Sequence, residues 1–275
     1  MTTFMPRRAL ARIAAASFIS LLAIGAAGAA NAADPAKLRI GVEGAYPPFS
    51  EVGPDGKLKG FDIDIAYALC TQMKAECTLV QQDFDGMIPA LQARKFDAII
   101  ASMSITPERL KSVNFSDKYY STPARLVAKA GSALQITPEG LKGKRIGVQR
   151  STIHDRYATE KFAPAEIVRY TKQDEVFLDL AAGRIDAALL DSVAADVGFL
   201  KTAAGKGYGF VGPVYTDPTY FGIGAGVALR KSDKALQTRF NDAIKAIRAD
   251  GTYQKIEKKY FEFDVYGDTA KATKP

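Results

Sequence analysis

Four short stretches of this 275-residue chain carry side chains able to do chemistry, and each follows an apolar, β-branched run. Ile40-Gly41-Val42 exits into Glu43-Gly44-Ala45-Tyr46, and Ile146-Gly147-Val148 exits into Gln149-Arg150-Ser151-Thr152. Two Asp-Ala runs, beginning at Asp97 and Asp186, exit into Ser102-Met103-Ser104 with Arg109 close behind, and into Asp191-Ser192. In open α/β sheets ligands bind beyond the carboxyl ends of strands, so these exits are candidates for one site. Arg109 offers a planar fork that suits a carboxylate bidentately. Ser104 and Thr152 stand just before helical patterns, where free backbone N–H groups also favour an anion. Asp191, an acceptor only when ionised, suits an ammonium group. A carboxylate pole beside an ammonium pole is the signature of an α-amino acid. Each residue also has a plainer reading: Arg109 as a surface residue, Asp191 as a helix N-cap, Ser102 and Ser104 as turn formers, Tyr46 and Phe84 as core aromatics. Glu43 is different, because a carboxylate directly after an apolar strand should face a cleft or a cation.

The elements that must position these groups alternate. Strand patterns cover residues 38–42, 78–81, 98–101, 125–128, 145–148, 167–170 and 187–190. Between them, 62–73, 85–94, 107–112, 153–162, 174–182 and 193–202 read as helices. Such alternation implies mostly parallel sheets in an α/β architecture. The order also occurs twice: Leu38-Arg39-Ile40-Gly41-Val42 echoes Lys144-Arg145-Ile146-Gly147-Val148, and LQARKFDAIIAS at 91–102 echoes LAAGRIDAALLDS at 180–192. Two copies of one unit predict two similar lobes with a ligand cleft between them. Residues 234–261 carry apolar positions at Leu236, Phe240, Ala243, Ile244 and Ile247, with Gly251 as a stop before a second helix.

Composition removes other classes of function. With 47% hydrophobic and 24% charged residues the chain is an ordinary globular protein, neither disordered nor a multi-pass membrane protein. The net charge is +7, but Arg7, Arg8 and Arg12 fall within the first 32 residues and the other basic residues are scattered, so no nucleic-acid footprint exists. There is no Trp, and the single His is His154, which leaves little for a Ser-His-Asp triad or a multi-His metal site. Nothing suggests a metal or an organic cofactor. The three arginines precede an apolar run at 13–27 and a small-residue exit ending at Ala32, which reads as a secretory signal peptide over 1–32 rather than a membrane anchor. Cys70 and Cys77, the two cysteines, then lie in an oxidising compartment and are expected to form one disulfide at a helix-to-strand turn. Residues 268–275 read as a frayed tail.

Several motifs together resemble a known family. Gly60-Phe61-Asp62-Ile63-Asp64, Asp83-Phe84-Asp85-Gly86-Met87-Ile88-Pro89, Ser102 through Arg109 and Lys259-Tyr260-Phe261 are similar to those of periplasmic amino-acid-binding proteins of ABC importers, solute-binding protein family 3. The likeness is nearest to lysine/arginine/ornithine- and arginine/ornithine-binding members and covers residues 37–267. It implies a type II periplasmic-binding-protein fold: a two-lobed α/β clamshell in which each lobe is a central sheet flanked by helices. Lobe one is then 37–120 plus 224–267 and lobe two 125–216, joined by a two-strand hinge near 121–124 and 217–223. By matching motifs, Arg109 with the N–H groups of Ser104 and Thr152 holds the α-carboxylate, while Asp191 and the Ser102-Met103-Ser104 segment hold the α-ammonium. Tyr46 and Phe84 sandwich the ligand side chain and Glu43 is its counter-ion. Gln149 and Ser151 complete the expected contacts. The family pattern has Asp where Glu43 stands, Ser at Ala101 and Gln at Ile153. The function implied is a monomeric, non-enzymatic periplasmic receptor for L-arginine or L-ornithine, then L-lysine and L-histidine, delivering to an inner-membrane permease. A periplasmic cyclohexadienyl dehydratase on the same fold is the alternative, with Glu43 and Asp191 as acid and base.

Overall fold

The structure, a computed structural model, describes residues 36–267; the expected signal peptide and the tail at 268–275 lie outside the described residues. In chain order the strands are β1 (Ala36–Val42), β2 (Ala45–Tyr46), β3 (Ser50–Val52), β4 (Leu58–Lys59), β5 (Ala75–Gln81), β6 (Ala98–Ile99), β7 (Asn114–Tyr120), β8 (Ala124–Lys129), β9 (Arg145–Gln149), β10 (Glu166–Tyr170), β11 (Ala187–Asp191), β12 (Tyr208–Tyr215) and β13 (Ala225–Leu229). The helices are α1 (Phe61–Gln72), α2 (Met87–Gln92), α3 (Pro138–Leu141), α4 (Ile153–Lys161), α5 (Gln173–Ala181), α6 (Ser192–Ala195), α7 (Pro218–Phe221), α8 (Lys234–Ala249) and α9 (Thr252–Tyr260).

Two five-stranded sheets result, ordered β5-β1-β6-β13-β7 and β10-β9-β11-β8-β12, with β2, β3 and β4 forming a small third sheet. In the first, β1 is parallel to β5 and β6 while β13 is antiparallel to β6 and β7. In the second, β9 is parallel to β10 and β11 while β8 is antiparallel to β11 and β12. Each sheet is thus parallel apart from one reversed strand in the fourth place. Both reversed strands, β8 and β13, are the first laid down after the chain passes from one sheet to the other. Parallel neighbours require helical crossovers, which α1, α2, α4 and α5 supply.

The internal repeat has a physical basis. Asp97 accepts from the Arg39 backbone N–H at 3.0 Å and donates its own N–H to the Arg39 carbonyl at 2.8 Å. Asp186 does the same with Arg145, at 2.8 Å in both directions. A Cβ on Gly41 would stand 2.8 Å from the Phe96 ring, and one on Gly147 would stand 2.4 Å from Ile185. Glycine is therefore required where the bulky residue before each Asp-Ala pair packs against β1 or β9.

Helix α8 buries Phe240, Ala243, Ile244 and Ile247 on one stripe, and Gly251, at φ 83°, turns the chain into α9. The disulfide between Cys70 and Cys77 is formed, tying the end of α1 to β5.

Several expectations are corrected. The helix expected at 107–112 is only a 3₁₀ turn at Arg109–Lys111, because Pro107 and the close return into β7 leave no room for more. That at 85–94 is a 3₁₀ turn, Phe84–Gly86, followed by α2, and that at 193–202 is α6 continued by a π turn, Asp196–Leu200. Strand β6 ends at Ile99, two residues early, as the chain bends through Ser102 at φ 53°. The expected two-strand connection is two unlike links: three residues between β7 and β8, and a segment holding α7, capped by the Asp217 side chain, before β13.

Candidate functional site

A cavity of about 270 Å³ opens at the carboxyl ends of β1, β6, β9 and β11. Glu43, Tyr46, Phe84, Ser102, Ser104, Arg109, Gln149, Thr152 and Asp191 all line it, so nine of the expected residues from both sheets meet there. Two do not. Met103 is buried in the core around α2, and Ser151 lines a neighbouring groove and reaches the site only through its backbone. The bend at Ser102, φ 53°, leaves the Met103 side chain in the core, while Ser102 and Ser104 line the cavity.

Arg109 is positioned by the 3₁₀ turn that replaces the expected helix. Its Nη1 donates to the Ser104 carbonyl at 3.1 Å and its Nη2 to the Ser151 carbonyl at 3.3 Å, with the guanidinium 5.3 Å from the Phe84 ring centre. Burial pushes its pKa down to about 10, which still leaves it charged at neutral pH. Its hydrogen-bond partners are carbonyls rather than carboxylates, and a guanidinium has five donors, so capacity remains for an anion. Phe84 therefore supports Arg109 as well as bordering the cavity.

Across the cleft, Thr152 is the N-cap of α4: its hydroxyl accepts from the Asp155 N–H at 3.1 Å and donates to the Gln149 carbonyl at 2.7 Å. Asp191 is an N-cap and a cavity wall at once. One oxygen accepts from the Val193 and Ala194 N–H groups at 2.8 and 3.0 Å, and the other accepts from the Thr122 hydroxyl. Burial raises its pKa above the usual carboxylate range.

Glu43 is 4% exposed and faces Gln149, whose Nε2 donates to it and, at 3.2 Å, to the Thr171 carbonyl. Burial, with the charges of Asp62, Asp83 and Asp174 adding to it, pushes its pKa up to about 8. The Gln149 bond joins the two sheets, as do Arg109 with Ser151 and the ion pair of Arg150 with Asp85 at 3.8 Å.

Other cavity residues gave no signal in the sequence. Tyr120 and Thr122 come from β7 and the link after it, and Phe221 from α7. His154 also lines the cavity, held neutral because burial and the charge of Arg109 push its pKa down to about 3. Behind Ser102 lies Asp62, 0% exposed, which accepts from the Ser102 and Tyr119 hydroxyls at 2.9 Å each. The Phe-Asp-Ile-Asp start of α1 places an acid there, but acids are common in a first helical turn.

The cavity thus carries a half-buried cation, Arg109, at one place and two buried carboxylates, Glu43 and Asp191, at others, on two facing sheets. Residues 38–263 match the bacterial extracellular solute-binding proteins, family 3. The chain belongs to this family. It is 57% identical over 232 residues to the L-arginine-binding protein of Pseudomonas aeruginosa, covering 84% of this chain and 90% of that protein. It is 49% identical over 236 residues to the lysine/arginine/ornithine-binding periplasmic protein of Escherichia coli, covering 85% and 91%. Among solved structures, a Salmonella typhimurium periplasmic binding protein described for its high arginine specificity superposes with a TM-score of 0.76 at 36% identity, covering 82% and 99%. These relatives of high identity are named as binding proteins.

Proposed function

We propose that this protein is the periplasmic receptor of an ABC importer, which captures a basic L-amino acid between its lobes and delivers it to the inner-membrane permease. L-arginine and L-ornithine are the leading ligands, followed by L-lysine and L-histidine, and no cofactor takes part. The observation that supports this most is the charge pattern of the cleft: Arg109 as its cation, with Asp191 and Glu43 as separate buried acids. A basic amino acid has one anion and two cations and meets that pattern group for group.

In this reading Arg109 and the N–H groups at Ser104 and Thr152 take the α-carboxylate. Asp191 and the Ser102–Ser104 turn take the α-ammonium, Tyr46 and Phe84 border the side chain, and Glu43, oriented by Gln149, takes its distal cation. Met103 supports the turn from the core, and Ser151 acts through its carbonyl on Arg109. The lobes are 37–120 with 224–267, and 125–216, moving about the links at 121–124 and 217–223. Hinge closure is driven only by contacts stronger in the closed form, which the residues facing each other across the cleft supply. The mature chain begins after Ala32 and acts as a monomer.

The dehydratase reading is not favoured, since Glu43 and Asp191 are each held as hydrogen-bond acceptors by neighbouring donors. Calorimetry on ligand-stripped protein with arginine, ornithine, lysine, histidine and glutamine tests the proposal. One-to-one binding confined to the basic set is expected. Equal binding of glutamine, or none of the five, would overturn it.

A further inference from the structure

Beyond the residues lining the cleft, α1 places one more acid at the site. Asp62 is its second residue and is wholly buried, yet its side-chain partners are two hydroxyls rather than a cation. On the neighbouring helix α9, Lys259 is bound at 3.0 Å by Asp64. A buried carboxylate without a cation is costly and is retained where a charge is to be supplied.

The hydrogen-bond directions show how that charge reaches the cavity. Ser102 lines the cavity and donates its hydroxyl hydrogen backwards, to Asp62. Its backbone N–H donates at 3.1 Å to the Tyr119 oxygen, and Tyr119 in turn donates to Asp62. With its hydrogen committed behind, the Ser102 oxygen presents only lone pairs to the cavity, which suits the α-ammonium common to all amino acids, while the Asp62 charge behind it acts together with that of Glu43.

We propose that Asp62 is a specificity-determining residue of the cleft: a third carboxylate that, through its own charge behind Ser102, favours amino acids with a cationic side chain over neutral ones. This rests on the basic amino-acid reading above. A neutral zwitterion brings no cation to offset Glu43 and Asp62, which then stay largely protonated, whereas a cationic side chain draws out their negative charge. The titratable groups facing Asp62 are the acids Glu43 and Asp191 and the phenols of Tyr46, Tyr119 and Tyr120. None is cationic, so the ligand supplies the missing positive charge. Burial pushes the Asp62 carboxyl up to about 7 in the free protein, and a cation arriving nearby lowers it, so a proton is released on binding.

The test is calorimetry of arginine and glutamine against the wild type and Asp62→Asn, in two buffers of unlike ionisation heat at one neutral pH. Asn keeps the shape and can accept from Ser102, but carries no charge. The ratio of arginine to glutamine affinity should fall at least about tenfold in Asp62→Asn, as for charges several ångströms apart at a partly buried site. Glutamine affinity should hold, and the excess proton release with arginine over glutamine should shrink. An unchanged ratio, or an equal loss for both ligands, overturns the proposal. If Asp62→Asn does not fold, Glu43→Gln decides: arginine should still release more protons than glutamine, and no excess overturns the role of Asp62. A wild type without arginine preference sinks the basic amino-acid reading itself, whereas a preference that survives Asp62→Asn sinks only this inference.

Discussion

Arg109 is a half-buried cation held in place by carbonyl oxygens and a ring face, so its charge is directed at whatever anion enters the cleft. Arg109→Ala should weaken every amino acid, basic or neutral, by about 100-fold or more, and Arg109→Lys should recover little of this because the planar fork is lost. Calorimetry with arginine and glutamine checks both. Glu43 predicts a pH dependence. Its pKa of about 8 in the free protein falls when a cation binds, so the bound state holds fewer protons and arginine affinity should rise with pH from 6 to about 8, then level off. Glutamine affinity should change much less over the same range. At this scale the sequence was informative wherever a polar residue directly followed an apolar strand, as at Glu43, Gln149 and Asp191. It was silent on Asp62, because an acid in a first helical turn reads as a partner of the helix dipole and its complete burial depends on β7, far along the chain.

The elements were legible where local pattern and burial agreed. Helix α8 shows its stripe at Phe240, Ala243, Ile244 and Ile247, and the buried apolar stretches Ile40-Gly41-Val42, Ile146-Gly147-Val148 and Ala187 to Leu190 mark β1, β9 and β11, parallel strands covered on both faces there. Strands β7, β12 and β13 escaped notice: Asn-Phe-Ser-Asp-Lys-Tyr-Tyr is polar, Tyr-Gly-Phe-Val-Gly-Pro-Val-Tyr holds two glycines and a proline, and Ala-Gly-Val-Ala-Leu is small. Neighbouring strands decide these, not propensity. Gly147→Ala should lower stability by about 1–3 kcal/mol through overpacking against Ile185 and Val176, read as a fall in the thermal midpoint. The Cys70–Cys77 bridge closes a short loop and should contribute about 2–3 kcal/mol, so its reduction or the double Cys→Ser variant should lower the midpoint by roughly 4–12 °C.

At the scale of the molecule, two copies of one unit face each other, and the duplication was legible because Arg39 with Asp97 and Arg145 with Asp186 repeat the same backbone pairing. The direction of the fourth strand in each sheet was not, since it follows from where the chain crosses between lobes. The cleft region holds buried acids, which sets the sign of stability against pH. Glu43 and Asp62 have folded pKa values raised to about 8 and about 7, so the stability they contribute when protonated is present below the unfolded carboxylate range and is lost as pH rises through those values. The ligand-free protein should therefore melt at a lower temperature at pH 8 than at pH 5.5, and saturating arginine should restore more at pH 8. Differential scanning calorimetry at the two pH values reads both effects.

The account depends most on a cleft that selects its ligand by charge, with Glu43 as the counter-ion of a basic side chain. Calorimetry of arginine and glutamine against wild-type and Glu43→Gln protein tests that directly. The wild type should bind arginine far more tightly than glutamine, and Glu43→Gln should lose at least about tenfold of that preference while still binding glutamine. Arginine affinity unchanged in Glu43→Gln, or a wild type that binds both alike, would contradict it.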